Sequence, residues 1–277
     1  MAITKTIKNN VTFFASDILA VPHGFTTRLG GVSTGVLSSL NLGFHRGDPR
    51  ENIEENYHLL GQAIGFSPEN CVLTRQTHSD IVRLVTAEDR AGLDHRGYPE
   101  CDGLITMDPG VALVIFTADC TPLLFHDPVT GAVGAAHAGW RGTVSQIGAK
   151  TVEAMVRSFG CDPQNIRAAI GPNIGQCHFE TDADVPQAIL AAYGPEAEEY
   201  IEKRGEKYYL DLKAINALSL RRAGVKKIDI SDACTYCLHD TFWSHRYTQG
   251  ARGSQGAVIV CQKGSPSGRA DSAKGRD

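Results

Sequence analysis

Between Val111 and Gly142 the chain reads VALVIFTADCTPLLFHDPVTGAVGAAHAGWRG. Three short apolar runs end in residues of high chemical value: Asp119 and Cys120 after the first, His126 and Asp127 after the second, His137 and Arg141 after the third. Val, Ile and Phe fill the first run, and Pro122 then removes a ladder donor and favours a bend. Cys120 is therefore expected at a strand end or bulge. Asp127 to Gly131 is a turn by composition, after which small residues return as a strand. A hairpin built this way carries His137 back toward Cys120, and a thiol beside an imidazole can hold a metal or arm a nucleophile.

Upstream, VLTRQTHSD leads into IVRLV, again a strand, a polar break and a strand, with His78 in the break. His78, Cys120 and His137 make a possible His2Cys set, the ligand number and type of a catalytic zinc site that keeps a fourth position open. Spacing alone leaves this set level with a plainer alternative, a buried cysteine and two hydrogen-bonded histidines.

Six phrases then follow in order: HGFTTRLGGVSTGVLSSLNLG (residues 23–43), RQTHSD (75–80), DGLIT (102–106), TADCTPLL (117–124), GAVGAAHAGWRG (131–142) and IGPNIGQC (170–177). They resemble the signature blocks of the laccase-domain family, also called the polyphenol oxidase or purine nucleoside phosphorylase family, which includes the peptidoglycan editing factor. The resemblance runs from about residue 23 to 256. It implies that His78, Cys120 and His137 are zinc ligands, and it implies a layered αββα arrangement.

The remaining pattern alternates. Strands are predicted over 11–14, 24–27, 166–170, 208–210, 227–230 and 257–261, and helices over 183–193 and 212–223, the latter capped by Asp211. Asp48-Pro49 reads as a cap followed by proline at the first helical position, with Ile53, Tyr57, Leu60 and Ile64 at helical spacing. Another helix is expected to start at the AGWRG phrase and to carry Val144, Ile147, Val152, Met155 and Phe159 on one stripe. The class is α/β (α+β): one domain of mixed β-sheets flanked by helices over residues 1–262, followed by a disordered tail over 263–277. Residues 87–101 read as an exposed excursion, which makes His95 a poor metal ligand, and His58 reads as a surface residue.

A net charge of −4 gives no basic footprint for nucleic acid. No run approaches a membrane span, and Lys5, Lys8, Asn9 and Asn10 interrupt the first 21 residues, so a cytoplasmic location is expected. The eight cysteines are diluted in a chain of ordinary size and are expected as free thiols. Cys234 and Cys237 form a CxxC with no second pair to complete a zinc ribbon, and a structural role is preferred to a redox one.

The loop over 28–48 is long and rich in Gly, Ser, Thr and Asn. With the resemblance it reads as a substrate loop, in which Arg28, Ser38 and Asn41 offer donors to phosphate or sugar oxygens. Gln76 and Arg246 join them as substrate-binding candidates, and His245 as a pocket residue. Arg141, beside a helix start, is a catalytic candidate for holding an anion. Asp119 is a candidate acid or base, but on an extended strand it would point away from the face that Cys120 uses, which would make it an orienting group instead.

The resemblance implies a zinc-dependent purine nucleoside phosphorylase acting on adenosine, inosine and methylthioadenosine, with adenosine deamination as a second activity. Its partners are a nucleoside and phosphate. Zinc is preferred to copper, and a copper polyphenol oxidase ranks last among the readings: none of the ten histidines forms a His-x-His pair, and Met107 and Met155 offer no evident axial ligand. An amidase of the peptidoglycan-editing kind, with Cys120 as nucleophile and His137 as base, stays open.

Overall fold

The run over 111–142 forms three strands and divides them between two sheets. The structure, a computed structural model, describes residues 3–93 and 99–262. In chain order the elements are β1 (Ile3–Lys8), β2 (Val11–Ser16), β3 (His23–Thr26), α1 (Arg50–Ile64), β4 (Cys71–Leu73), β5 (Val82–Leu84), β6 (Gly103–Thr106), β7 (Ala112–Thr117), β8 (Thr121–His126) and β9 (Val133–Ala138). Then come α2 (Trp140–Val144), α3 (Ile147–Phe159), β10 (Arg167–Ile170), β11 (Glu180–Thr181), α4 (Asp184–Tyr193), β12 (Ile201–Arg204), β13 (Lys207–Leu210), α5 (Leu212–Arg222), β14 (Lys227–Ile230), α6 (His245–Thr248) and β15 (Gln255–Val260).

One sheet has the order β1-β2-β3-β15-β7-β4, the other β14-β10-β8-β9-β6-β5, and β11-β13-β12 form a small third sheet. Period-two alternation sorts each central strand between two faces. On β7, Leu113 and Ile115 pack with Leu124, Leu104 and Val133 of the facing sheet. Ala112 and Val114 instead join Tyr57 and Leu60 of α1. On β8, Leu123 and Phe125 meet Ile147, Val152 and Met155 of α3 and Leu220 of α5. The layers are therefore helix, sheet, sheet, helix. Strands buried on both faces read as unbroken apolar runs, which is why the sequence shows them so plainly. Truncating Leu113 or Leu124, both fully buried, to Ala should cost about 2–5 kcal/mol.

Several boundaries differ from those expected. Pro49 is the N-cap of α1 rather than its first residue; Asp48 accepts from Ser33 Oγ, Asn41 Nδ2 and Asn52 Nδ2 and so ties down the loop before the helix. The helix expected after AGWRG is broken into α2 and α3, because Gln146 adopts a left-handed φ of 57°. Strand β1 was not anticipated: it is an edge strand on which only Ile3 is buried, so it carries little apolar signal. His95 and residues 263–277 lie outside the described residues. Among the described residues no helix is long and apolar enough to cross a membrane.

Candidate active site

Two connections pass between the facing sheets at the same end. One joins β4 to β5 and the other joins β7 to β8. His78 lies in the first and Cys120 in the second. Both connections turn through left-handed residues that are not glycine, His78 at φ 61° and Asp119 at φ 82°. His137 sits near the end of β9, opposite Pro122 in the β8–β9 register, two residues along from Cys120.

The three donor atoms lie within 4.8 Å of one another. Cys120 Sγ is 3.9 Å from His78 Nε2, and the two rings stand edge to face at 5.0 Å. Asp102, fully buried just before β6, organises the group. It accepts the backbone N–H groups of Thr77, His78 and Ser79 at 2.8–3.1 Å and the Ser79 hydroxyl at 2.7 Å. These bonds hold His78 in its left-handed conformation. Asp102 also faces His137 Nδ1 at 2.8 Å, which leaves Nε2 free to act as a ligand.

Burial pushes the Asp102 carboxyl up, but the hydrogen bonds from His137 and Ser79 and the His137 charge outweigh it and hold the group at about 2. Burial likewise opposes ionisation of Cys120 and His137, yet each stabilises the charged form of the other, so the thiol is lowered and the imidazole raised.

The set fits a metal on two counts. One thiolate sulfur and two imidazole nitrogens make a borderline-soft donor set suited to zinc or copper. Gly139 leaves the room: a Cβ there would stand 2.8 Å from His78 Cδ2 and 3.2 Å from Cys120 Sγ.

Two cavities meet at these residues. The first, of about 300 Å³, is walled by Phe44, Arg46, Gln76, Phe116, Arg252 and Ser254, among others. The second, of about 280 Å³, is walled by Asp119, Trp140, Ile174, Phe179, His245 and Arg246, among others. His78, Ala118, Cys120 and Arg252 border both.

The other expected residues divide. Gln76 borders the first cavity, with its amide clamped on the Phe116 backbone: Nε2 donates to the carbonyl at 2.8 Å and Oε1 accepts the N–H at 2.6 Å. Asp119 borders the second cavity and is not on an extended strand. Its carboxylate accepts from Thr235 Oγ1 at 2.6 Å and Arg246 N at 2.7 Å, so it ties the cavity wall together. Arg246 Nη1 donates to the Glu180 carbonyl at 3.1 Å.

Arg28 borders neither cavity. Its guanidinium stacks on Trp243 at 4.0 Å and donates to the carbonyls of Ser38 and His239. Ser38 thus serves through its backbone. Buried Asn41 bridges Gly43, Asp48 and Ser254 and positions the loop that leads to Arg46. Arg141 is exposed, stacks on Trp140 at 4.3 Å and borders neither cavity.

Arg46, Arg252 and Asp102 were not singled out from the sequence. Asp102 carried one available signal, a carboxylate set directly before the short strand GLIT. Arg46 and Arg252 come from loops about two hundred residues apart, and only the fold brings them together. Burial and then the positive charge of Arg46 lower Arg252 to about 10, which marks crowding of cations beside Cys120.

The description multi-copper polyphenol oxidoreductase laccase matches residues 22–262. The chain is 42% identical over 241 residues to the purine nucleoside phosphorylase of Deinococcus radiodurans, spanning 87% of this chain and 89% of that one. It is 38% identical over 242 residues to the purine nucleoside phosphorylase YlmD of Geobacillus stearothermophilus, spanning 85% and 88%. The crystal structure of YlmD from Geobacillus stearothermophilus superposes with a TM-score of 0.88 at 34% identity, covering 94% of this chain and 99% of that one. A match along nearly the whole described chain, joined to the same fold, makes this protein a member of the multi-copper polyphenol oxidoreductase laccase family.

Proposed function

We propose that the protein is a zinc-dependent purine nucleoside phosphorylase acting on adenosine and inosine, and on methylthioadenosine, with adenosine deamination as a second activity. The observation that carries this reading is the pairing, beside one His2Cys set, of crowded guanidinium groups with aromatic walls. Arg46 and Arg252 supply positive potential for a phosphate, while Phe44 and Phe116 supply an apolar face for a purine. The names of the relatives point the same way.

In phosphorolysis a phosphate oxygen bonds to the anomeric carbon, the bond from that carbon to the purine nitrogen breaks, and the electron pair leaves with the base, which takes up a proton. Arg252, partly buried between the cavities, neutralises the nucleophile and holds it beside the sugar; Arg46, exposed on a separate loop, adds a second cation to the wall of the first cavity. Asp119 positions Arg246 and the second cavity wall through its two accepted hydrogen bonds. Asp102 fixes the tautomer of His137 and the backbone of His78. Zinc, held by His78, Cys120 and His137, would supply a Lewis acid and an open coordination position. In deamination a water oxygen bonds to the purine C6, the bond from C6 to the amino nitrogen breaks and ammonia leaves, and phosphate takes no part.

Zinc-loaded protein given inosine and phosphate should form hypoxanthine and ribose 1-phosphate at a rate that depends on phosphate. Adenosine should form adenine and, independently of phosphate, inosine. Cys120→Ala, His137→Ala and His78→Ala should each remove both activities. Zinc-loaded protein that converts neither nucleoside at any phosphate concentration would overturn the proposal.

A second reading rests on the Cys120–His137 pair, in which a lowered thiol beside a raised imidazole is the arrangement of a cysteine nucleophile. It would make the protein an amidase acting on a peptidoglycan precursor. Metal-free protein that releases an amino acid from a muramyl–amino acid conjugate, and is silenced by alkylation of Cys120, would favour it.

A further inference from the structure

Cys234 and Cys237 stand in sequence as half of a four-ligand site. The fold supplies the other half as an adjacent pair, Cys177 and His178, from the loop between β10 and β11. The four donor atoms lie within 4.8 Å of one another. Cys177 Sγ is 3.6 Å from Cys237 Sγ, and His178 Nδ1 is 3.2 Å from Cys177 Sγ and 3.3 Å from Cys237 Sγ. A tetrahedral zinc ion with ordinary bond lengths sets its sulfurs roughly 3.7 Å apart and a nitrogen roughly 3.5 Å from each sulfur. The three spacings among Cys177, His178 and Cys237 are those edges to within a few tenths of an ångström, and Cys234 Sγ lies within 4.8 Å of each.

The surroundings are built for the same purpose. Cys234 Sγ accepts the Gly175 N–H at 3.1 Å, a bond that stabilises a thiolate. Gly175 is also where the loop must stay bare, since a Cβ there would lie 3.3 Å from Cys177 Sγ and 3.4 Å from Cys234 Sγ. The His178 ring is held flat against Tyr236 at 4.0 Å. The two loops are already registered by the bridge between Asn173 and Cys234 and by Thr235 N donating to the Asn173 carbonyl at 2.9 Å. A disulfide would engage two of these four donors and give no reason for the other two to converge.

We propose that Cys177, His178, Cys234 and Cys237 form a second, closed metal site that holds zinc in a structural role. Three cysteines and a histidine leave no open position, which separates this site from the three-ligand set at Cys120. Binding releases the protons of the three thiols and joins two loops that lack strand or helix of their own. The first loop walls the second cavity, with Ile174 and Phe179 flanking its pair and Arg246 Nη1 donating to the carbonyls of His178 and Glu180, while Thr235 of the second loop donates to Asp119 in the same wall. The ion therefore sets the position of the Asp119–Arg246 wall without touching substrate.

Protein isolated from zinc-supplemented cells under reducing conditions should carry about two zinc ions per chain, and both Cys120→Ala and the Cys234→Ser/Cys237→Ser double variant should carry about one. A wild-type maximum of about one that disappears in Cys120→Ala would overturn the proposal, as would a double variant with undiminished zinc. Should the double variant fail to fold, cobalt decides in its place. Cobalt-loaded Cys120→Ala should keep an intense thiolate-to-cobalt absorption from the three remaining sulfur ligands, and its absence would refute the second site.

Discussion

The Asp102 carboxylate and the His137 imidazole meet at 2.8 Å, with neither side chain more than 3% exposed. The same carboxylate accepts the backbone of the His78 loop, so one buried charge orients two of the three candidate ligands from opposite sides. Asp102→Asn preserves shape and removes charge. Its affinity for zinc should fall roughly 10–100-fold, as measured by competition with a chromophoric chelator. An unchanged affinity would mean that Asp102 serves the fold alone.

Gly139 has φ −66° and ψ 175°, a conformation open to alanine, so Gly139→Ala should introduce no backbone strain. Its added methyl would press on His78 and Cys120. Zinc occupancy should drop, while the thermal stability of the metal-free protein should stay within about 1 kcal/mol of the parent. Full occupancy in this variant would show that the ligand atoms need not approach as closely as proposed.

Removing Arg252 or Arg46 should raise the Michaelis constant for phosphate about tenfold or more, in line with the 1.5–3 kcal/mol of a hydrogen bond to a charged group, and should leave that for nucleoside nearly unchanged. Arg28→Ala makes the contrast. It loses the Trp243 stack and its carbonyl partners and should lower stability by about 1 kcal/mol with no selective effect on phosphate. Equal effects of the Arg252 and Arg28 substitutions on phosphate would remove the anion site from the first cavity.

His126 is 4% exposed, and its Nδ1 has no hydrogen-bond partner among the described residues. Burial, with the Arg167 charge next in weight, lowers it from 6.5 to about 4. The unfolded chain therefore takes up this proton first as the pH falls, so its contribution to stability is intact above pH 6.5 and is lost between 6.5 and about 4. On moving from neutral pH to pH 5 the parent should lose on the order of 2 kcal/mol from this group. Urea unfolding of His126→Leu at the two pH values should lack that loss; an equal loss in both proteins would place the titration elsewhere.

Much of the fold was legible because β7, β8 and β9 are buried on both faces and separated by the polar break at Asp119 and Cys120 and by the turn from Asp127 to Gly131. The layer arrangement came only from resemblance, since apolar runs do not say which sheet each strand joins. The passages between sheets were hidden, because His78 and Asp119 turn the chain in conformations that residue type alone would assign to glycine. Tertiary hydrogen bonds from Asp102, Thr235 and Arg246 stabilise those turns, and no local signal encodes them. Arg28 and Arg141 drew notice as cations in motif blocks, yet aromatic neighbours hold both away from the cavities. Arg252 sits in an unremarkable loop, and its place beside Cys120 follows from the route of β15 alone.

That route bears on how the chain is made. In the first sheet β15 lies between β3 and β7, so a strand translated near residue 260 separates neighbours translated more than a hundred residues earlier. On the ribosome β1–β3 can form a meander and β4 can join β7, but the two halves have no common edge until β15 emerges. Closure of that sheet therefore waits for β15, and is slow in the manner of non-local pairing. Until then, the edges of β3 and β7 are open templates for strands of other nascent chains.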